Sequence, residues 1–167
     1  MTLNLVPDYC FERFCDASAE FLLAINVKGV LLDIDNTLEP YENESPGLHV
    51  LEWLDSLRAA GIKTAIVSNN NAKRVELFNK SIGMPAYSKA AKPFKKNLIK
   101  ALSEINVAPE NAIFIGDQIL TDVWAAHNAG IKAILVPPIN DKKDVFTKFK
   151  RLLERPIINK YRKKNKQ

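Results

Sequence analysis

The chain has 167 residues, 47% hydrophobic and 26% charged, with a formal net charge of +5. That composition is ordinary for a globular protein, and the length predicts one domain that buries about two-thirds of its unfolded surface. Cys10 and Cys15 are too few for a disulfide scaffold and lack a neighbouring histidine for zinc, and Phe21–Ile25 is far too short to span a bilayer. Met1–Pro7 has no basic stretch followed by an apolar core, so a secretory signal is not expected and a cytoplasmic domain is.

The charge is concentrated at one end. Arg155, Lys160, Arg162, Lys163, Lys164 and Lys166 give the last segment +6 with no acid, leaving −1 for the rest. A solvated basic tail is the simplest reading; contact with lipid headgroups or nucleic acid is the alternative.

In chain order, Asp8–Ile25 reads as an amphipathic helix with Tyr9, Phe11, Phe14, Phe21, Leu22 and Leu23 as its apolar stripe and Cys10 and Cys15 as reduced thiols. The stripe is expected to pack across the domain, with docking onto a membrane surface as the alternative. Val30–Ile34 is a strand-like run, Leu48–Ala60 has helical spacing closed by Gly61, and Lys63–Val67 is a second strand. Asn71 caps a helix over Ala72–Ser81, and a short strand follows at Ala86–Ser88. Pro93 opens a helix to about Asn106, then come a strand at Ala112–Ile115, a helix at Thr121–Asn128, a strand at Lys132–Val136 and a last helix at Asp141–Glu154. Ala60-Gly61-Ile62-Lys63 recurs as Ala129-Gly130-Ile131-Lys132, joining helix to strand twice. His49, His127, Trp53 and Trp124 fall in helices and read as structural. Apolar strands separated by helices predict an α/β fold, a doubly wound, three-layer Rossmann-like parallel sheet.

In such sheets ligands bind beyond the carboxyl ends of the strands. Reading those ends yields Asp33, Asp35 and Thr37 after the first strand, Ser68, Asn69 and Asn70 after the second, Lys92 before a helix, and Asp117 with Asp122 after the fourth. Carboxylates brought this close repel unless a cation offsets them. Oxygen ligands without histidine or thiolate favour Mg²⁺, and Mg²⁺ with a lysine, a hydroxyl and backbone amides makes a phosphate site. A carboxylate aimed at that phosphate is a candidate nucleophile, and a second one two residues on is a candidate acid or base.

These stretches resemble the four motifs of haloacid dehalogenase-like phosphohydrolases: Asp33-Ile34-Asp35-Asn36-Thr37-Leu38, Ser68, Lys92-Pro93, and Gly116-Asp117 through Asp122. Their wording is similar to subclass IIIA and its YqeG-type branch, related to phosphatidylglycerophosphatases. The resemblance implies that Asp33 is the nucleophile and a Mg²⁺ ligand. Asp35 is then the acid and base and a ligand through its carbonyl, and Thr37 holds the loop. Ser68 and the Asn69 amide bind phosphate, and Lys92 neutralises charge. Asp117 ligates Mg²⁺, and Asp122 ligates through water or orients Lys92.

About 35 residues separate Asp33 from Ser68 and about two dozen separate Ser68 from Lys92, each filled by one helix, which leaves no room for a cap domain. The chain divides into an N-terminal helical segment 1–27, a capless phosphatase domain 28–154 and a basic tail 155–167. The loop Glu39–Pro46 is the local flap. An uncapped mouth suits a phosphate on something large. The expected function is therefore a Mg²⁺-dependent phosphomonoester phosphatase working through an aspartyl-phosphate, with phosphatidylglycerophosphate as the substrate implied by resemblance. The alternatives are a phosphatase for nucleic-acid ends or small metabolites, a phospho-accepting receiver-like signalling domain, and a nucleic-acid-binding module led by the tail.

Overall fold

The computed structural model describes residues 4–140, 155–159 and 161. The helix expected over 141–154 lies outside these residues, as do Lys160 and residues 162–167 of the tail. Four apolar runs buried on both sides form the centre of a sheet: β2 (Gly29–Leu32), β3 (Lys63–Val67), β5 (Ala112–Gly116) and β6 (Lys132–Leu135). Two-residue strands, β1 (Tyr9–Cys10) and β4 (Ala86–Tyr87), close its edges. The order is β1-β6-β5-β2-β3-β4 and every pairing is parallel.

Side chains alternate between the two faces of each strand, which sorts the core into two layers. Val30 and Leu32 of β2 pack with α1 (Ala19–Ala24), α2 (Leu48–Ala59) and α3 (Ala72–Asn79) through Leu22, Trp53, Leu57, Val75 and Phe78. Leu31 faces the opposite layer, where α4 (Lys96–Glu104) and α5 (Trp124–Asn128) contribute Leu98, Leu102, Ala125 and Ala126. Each fully buried leucine or phenylalanine contributes roughly 2 kcal/mol. The repeated Ala-Gly-Ile-Lys joints work as expected: Gly61 and Gly130 sit at φ +74° and +73°, after α2 and α5. From β2 the chain steps outward to β3 and β4, then returns to β5 on the other side of β2. This reversal between β2 and β5 opens a crevice at their carboxyl ends.

Three local expectations are corrected. The segment Asp8–Ile25 is not one helix: it forms β1, a 3₁₀ turn at Phe14–Asp16, and α1 capped by the Ser18 hydroxyl, which accepts from Phe21 N at 3.1 Å. The reason is the open edge of β6, whose carbonyls at Ala133 and Leu135 accept from the Asp8 and Phe11 amides at 3.0 and 3.1 Å. The apolar stripe still packs inward, with Phe14 and Leu22 buried and Tyr9, Phe11 and Phe21 in a ring cluster. Second, Pro93 lies before α4 rather than in its first turn, because residues 91–95 form a turn closed by Phe94 N to Ala91 O at 2.9 Å. Third, the helix expected from Thr121 starts at Ile119 with a wide π turn, Ile119–Val123, before α5.

The N-terminal segment is pinned at the far edge. Nε2 of His127 lies 3.0 Å from the Asp8 carboxylate and Nδ1 lies 2.8 Å from the Asn4 carbonyl, so both ring nitrogens face acceptors. The bond to Asp8, assisted by the Asn4 carbonyl and opposed by burial, holds His127 above its ordinary 6.5. Burial pushes Asp8 up, but the bonds from His127 and the Ala133 amide outweigh it and leave Asp8 below 3.8. A raised histidine stabilises fully below its unfolded value and loses the contribution as pH rises through the folded one. The lowered aspartate contributes above 3.8 and loses it as pH falls. The unfolding free energy of the protein minus that of His127→Gln is expected to be about 1 kcal/mol near about pH 6 and to shrink by about pH 9. A difference that stays flat over that range removes the ion pair.

Candidate active site

Asp33 directly follows β2 and Asp117 directly follows β5, so the two strands flanking the crevice deliver a carboxylate each. Lys92 reaches Asp33 and Asp122 from the turn before α4. Its ammonium lies 2.9 Å from Asp33 Oδ1 and 2.7 Å from Asp122 Oδ1, with all three side chains buried. The π turn aims Asp122 inward, and the Gln118 amide fixes its other oxygen at 3.0 Å. This aim is possible because residue 116 is glycine, since a Cβ there would stand only 2.5 Å from Asp122 Cβ and Cγ. The Phe114 ring lies under the ammonium at 5.0 Å. Thr37 donates to Asp117 Oδ1 at 3.4 Å, linking the β2 loop to the β5 end.

The β3 end builds the opposite wall. The Ser68 hydroxyl is buried and accepts from the Asn70 amide at 3.2 Å. Asn69 grips the backbone of Lys92 at two points: its Oδ1 accepts from Lys92 N at 2.7 Å and its Nδ2 donates to Lys92 O at 3.2 Å. Asp35 stands across the mouth, its carboxylate bound by Asn70 and by Arg74 of α3. Sequence reasoning named the charged and polar groups of this site except Arg74; it placed Asn70 at the strand end without a role and Glu39 only at the start of the flap. Glu39 is buried and orders the flap, its two oxygens accepting from Gly47 N and Asn43 Nδ2 at 2.7 Å each. Nothing in the sequence separated Arg74 or Glu39 from solvated charges on a helix and a loop.

Burial raises Asp33 to about 6; Lys92 pulls it back, and the charges of Asp122 and Asp35 push it further up. For Lys92 burial favours the neutral form, but Asp122 and Asp33 outweigh it and keep the ammonium charged. Among the described residues, Asp33, Asp117 and Asp122 form the acidic cluster whose oxygens approach within 4.8 Å of one another. Three buried carboxylates, all hard oxygen donors, fit a divalent cation.

A family model described as haloacid dehalogenase-like hydrolase matches residues 35–136. The chain belongs to this family. It is 36% identical over 159 residues to the Probable phosphatase YqeG of Bacillus subtilis, covering 95% of this chain and 92% of that one, which places it in the YqeG-type branch. The Glyceraldehyde 3-phosphate phosphatase of Pyrococcus furiosus is 32% identical over 59% of this chain, which spans 44% of that protein. Two solved structures share the fold at 15% identity. CbbY from Rhodobacter sphaeroides in complex with phosphate has a TM-score of 0.58 over 71% of this chain and 90% of its own. The cobalt-bound deoxy-D-mannose-octulosonate 8-phosphate phosphatase from Haemophilus influenzae has a TM-score of 0.53 over 78% and 89%. The chain is thus an enzyme, a hydrolase of the phosphatase type, with the Rossmann-like core expected from its strands; the receiver-domain alternative falls away.

Gly116 offers a test of how tightly the site is assembled. Gly116→Ala drives a methyl group into the Asp122 carboxylate, and the expected cost is about 1–3 kcal/mol of stability together with a loss of turnover. Denaturant unfolding and a phosphatase assay measure both; a change within about 0.5 kcal/mol shows that Asp122 yields freely.

Proposed function

We propose that the protein is a Mg²⁺-dependent phosphomonoester phosphatase working through an aspartyl-phosphate on Asp33. The observation that carries this reading is the buried Lys92 ammonium held between Asp33 and Asp122, with Asp117 alongside, in the crevice where strand order reverses. An Asp33 oxygen attacks phosphorus and the bond to the leaving oxygen breaks. Asp35 gives that oxygen a proton. Asp35 then takes a proton from water, which attacks the phosphorus, releases inorganic phosphate and restores the Asp33 carboxylate. The Ser68 hydroxyl and the Asn69 backbone amide hold phosphate oxygens, and Lys92 balances charge as it shifts from carboxylate to phosphoryl group.

The residues that would hold Mg²⁺ are Asp33, Asp117 and the Asp35 carbonyl. When bound, the ion supplies Lewis-acid stabilisation of the phosphoryl oxygens. The 2.7 Å contact between Lys92 and Asp122 favours the reading in which Asp122 orients the lysine. Thr37, bonded to Asp117, ties the loop to the metal side.

For the substrate we favour phosphatidylglycerophosphate. Between β2 and β3 the described residues hold one loop and α2, and between β3 and β4 they hold α3, so no cap stands over the mouth. Apolar side chains project from that edge of the sheet: Tyr41 is 58% exposed, Leu48 70%, Phe94 73% and Ile139 48%. Such a rim suits an amphiphilic leaving group at a bilayer surface, reached by peripheral contact, with the basic tail adding attraction to anionic lipid. No helix among the described residues is long and apolar enough to cross a membrane. A soluble phosphorylated metabolite is the second reading, favoured by the similarity to the Pyrococcus furiosus phosphatase. Cleavage of a phosphate at a nucleic-acid end is a third outcome of the same assay.

Asp33→Asn is expected to lower turnover by about 10³-fold or more, as loss of a covalent nucleophile does; undiminished hydrolysis ends the aspartyl-phosphate reading. Chelation with EDTA should abolish activity and Mg²⁺ should restore it. A panel of phosphatidylglycerophosphate in mixed micelles, glyceraldehyde 3-phosphate and a 5′-phosphorylated oligonucleotide identifies the substrate by kcat/KM. Preference for either soluble compound overturns the lipid assignment and leaves the chemistry standing.

A further inference from the structure

Arg74 is a buried cation that the four motifs leave unused. It sits on α3, 8% exposed, with its guanidinium over the Tyr41 and Phe78 rings at 5.9 and 5.4 Å. Two of its nitrogens converge on one oxygen of Asp35, Nε at 3.0 Å and Nη2 at 2.9 Å from Oδ1, while Nη1 lies 3.3 Å from the Glu44 carbonyl. Asn70 Nδ2 holds the other oxygen, Oδ2, at 2.9 Å. Oδ1 is thereby committed to the guanidinium, whereas among the described residues Oδ2 accepts one bond and keeps a second lone-pair direction, the place where a proton can be held. A planar guanidinium is suited to fixing a carboxylate in orientation as well as position.

We propose that Arg74 is the positioning residue of the reaction. It sets the Asp35 carboxylate so that Oδ2 serves the leaving oxygen, and it couples that setting to the loop after β2 through Glu44 and Tyr41. This rests on the assignment of Asp35 as acid and base. Arg74 acts through Asp35 and is tied to the loop after β2 by the Glu44 carbonyl and the Tyr41 ring. A leaving group that contacts this loop therefore also bears on the acid that protonates it.

The test compares two leaving groups. p-Nitrophenolate departs readily without a proton, whereas the alkoxide of glycerol 3-phosphate needs one. Arg74→Met is expected to lower kcat/KM for glycerol 3-phosphate by about 10- to 100-fold and to change kcat/KM for p-nitrophenyl phosphate by much less, since kcat/KM reports the step that expels the leaving group and not the later one in which Asp35 takes a proton from water. Arg74→Lys, which restores a cation without the fork, should recover part of the alkyl activity. Tyr41→Ala should move the same ratio in the same direction through the loop. Thermal unfolding of each variant reports folding separately, and a general loss of structure lowers both substrates together. Asp35→Asn is the reference. If it shows the leaving-group dependence while Arg74→Met affects both substrates equally, the positioning role is overturned and the acid assignment survives. If Asp35→Asn shows no such dependence, the acid assignment falls and takes the role of Arg74 with it.

Discussion

A buried ammonium between two buried carboxylates organises this molecule. Removing charged groups from water is costly, and a carboxylate or a lysine left alone in that position would neutralise instead. Lys92 remains charged because Asp33 and Asp122 outweigh its burial, and Asp33 is restrained from rising beyond about 6 because Lys92 is there. The three charges make one unit, and each is delivered by a different part of the chain: the end of β2, the turn before α4 and the π turn after β5. The sheet must be in register before the unit exists. Leu32 pairs with both Ile66 and Ile115, which sets the end of β2 level with those of β3 and β5.

Backbone placement of the lysine is as demanding as its charge. Asn69 spends its whole amide on the Lys92 peptide, so the β3 end fixes the residue that faces the β2 end. The glycine at 116 gives Asp122 the space to approach from the other side. Side chains from three separate segments therefore meet at positions set by their backbones. Preorganisation of this kind lets fixed charges stabilise a transferring phosphoryl group without rearranging at the moment of reaction.

Much of this was legible in the sequence because strand ends announce themselves. β3 was located to the residue, and α2 to within one, because apolar periodicity and the Gly61 stop agree there. The polar residues just after the strands were then a short and chemically coherent set, and the structure brings Asp33, Lys92, Asp117 and Asp122 together. The N-terminal segment was misread because its run of aromatic residues was taken as one helical stripe although Tyr9 and Phe11 have strand spacing, and the deciding partner, β6, lies more than a hundred residues away. Pro93 was misread because proline is equally welcome in a first helical turn and in the turn before it. Arg74 and Glu39 were invisible for a different reason: a charge becomes informative only once its burial is known.

The same contrast bears on why the site works without a cap. Among the described residues no cap domain stands over the crevice, and beside it lies a short loop whose internal order comes from Glu39, gripping Gly47 and Asn43. Asn36 stands at φ +61° at the start of that loop, accepting through its carbonyl from the Ile139 amide at 3.0 Å and donating to the Glu39 carbonyl at 2.7 Å. The loop after β2 is thus stitched to the segment after β6, and the mouth is framed by backbone rather than by a separate domain. A frame of that kind leaves one side open to solvent or to a surface, with Phe94, Ile139, Tyr41 and Leu48 exposed on the edge that carries the catalytic crevice. Single exposed apolar side chains are ordinary on a protein surface; what sets these four apart is that each lies on a segment that follows the carboxyl end of a strand or opens the helix beyond it.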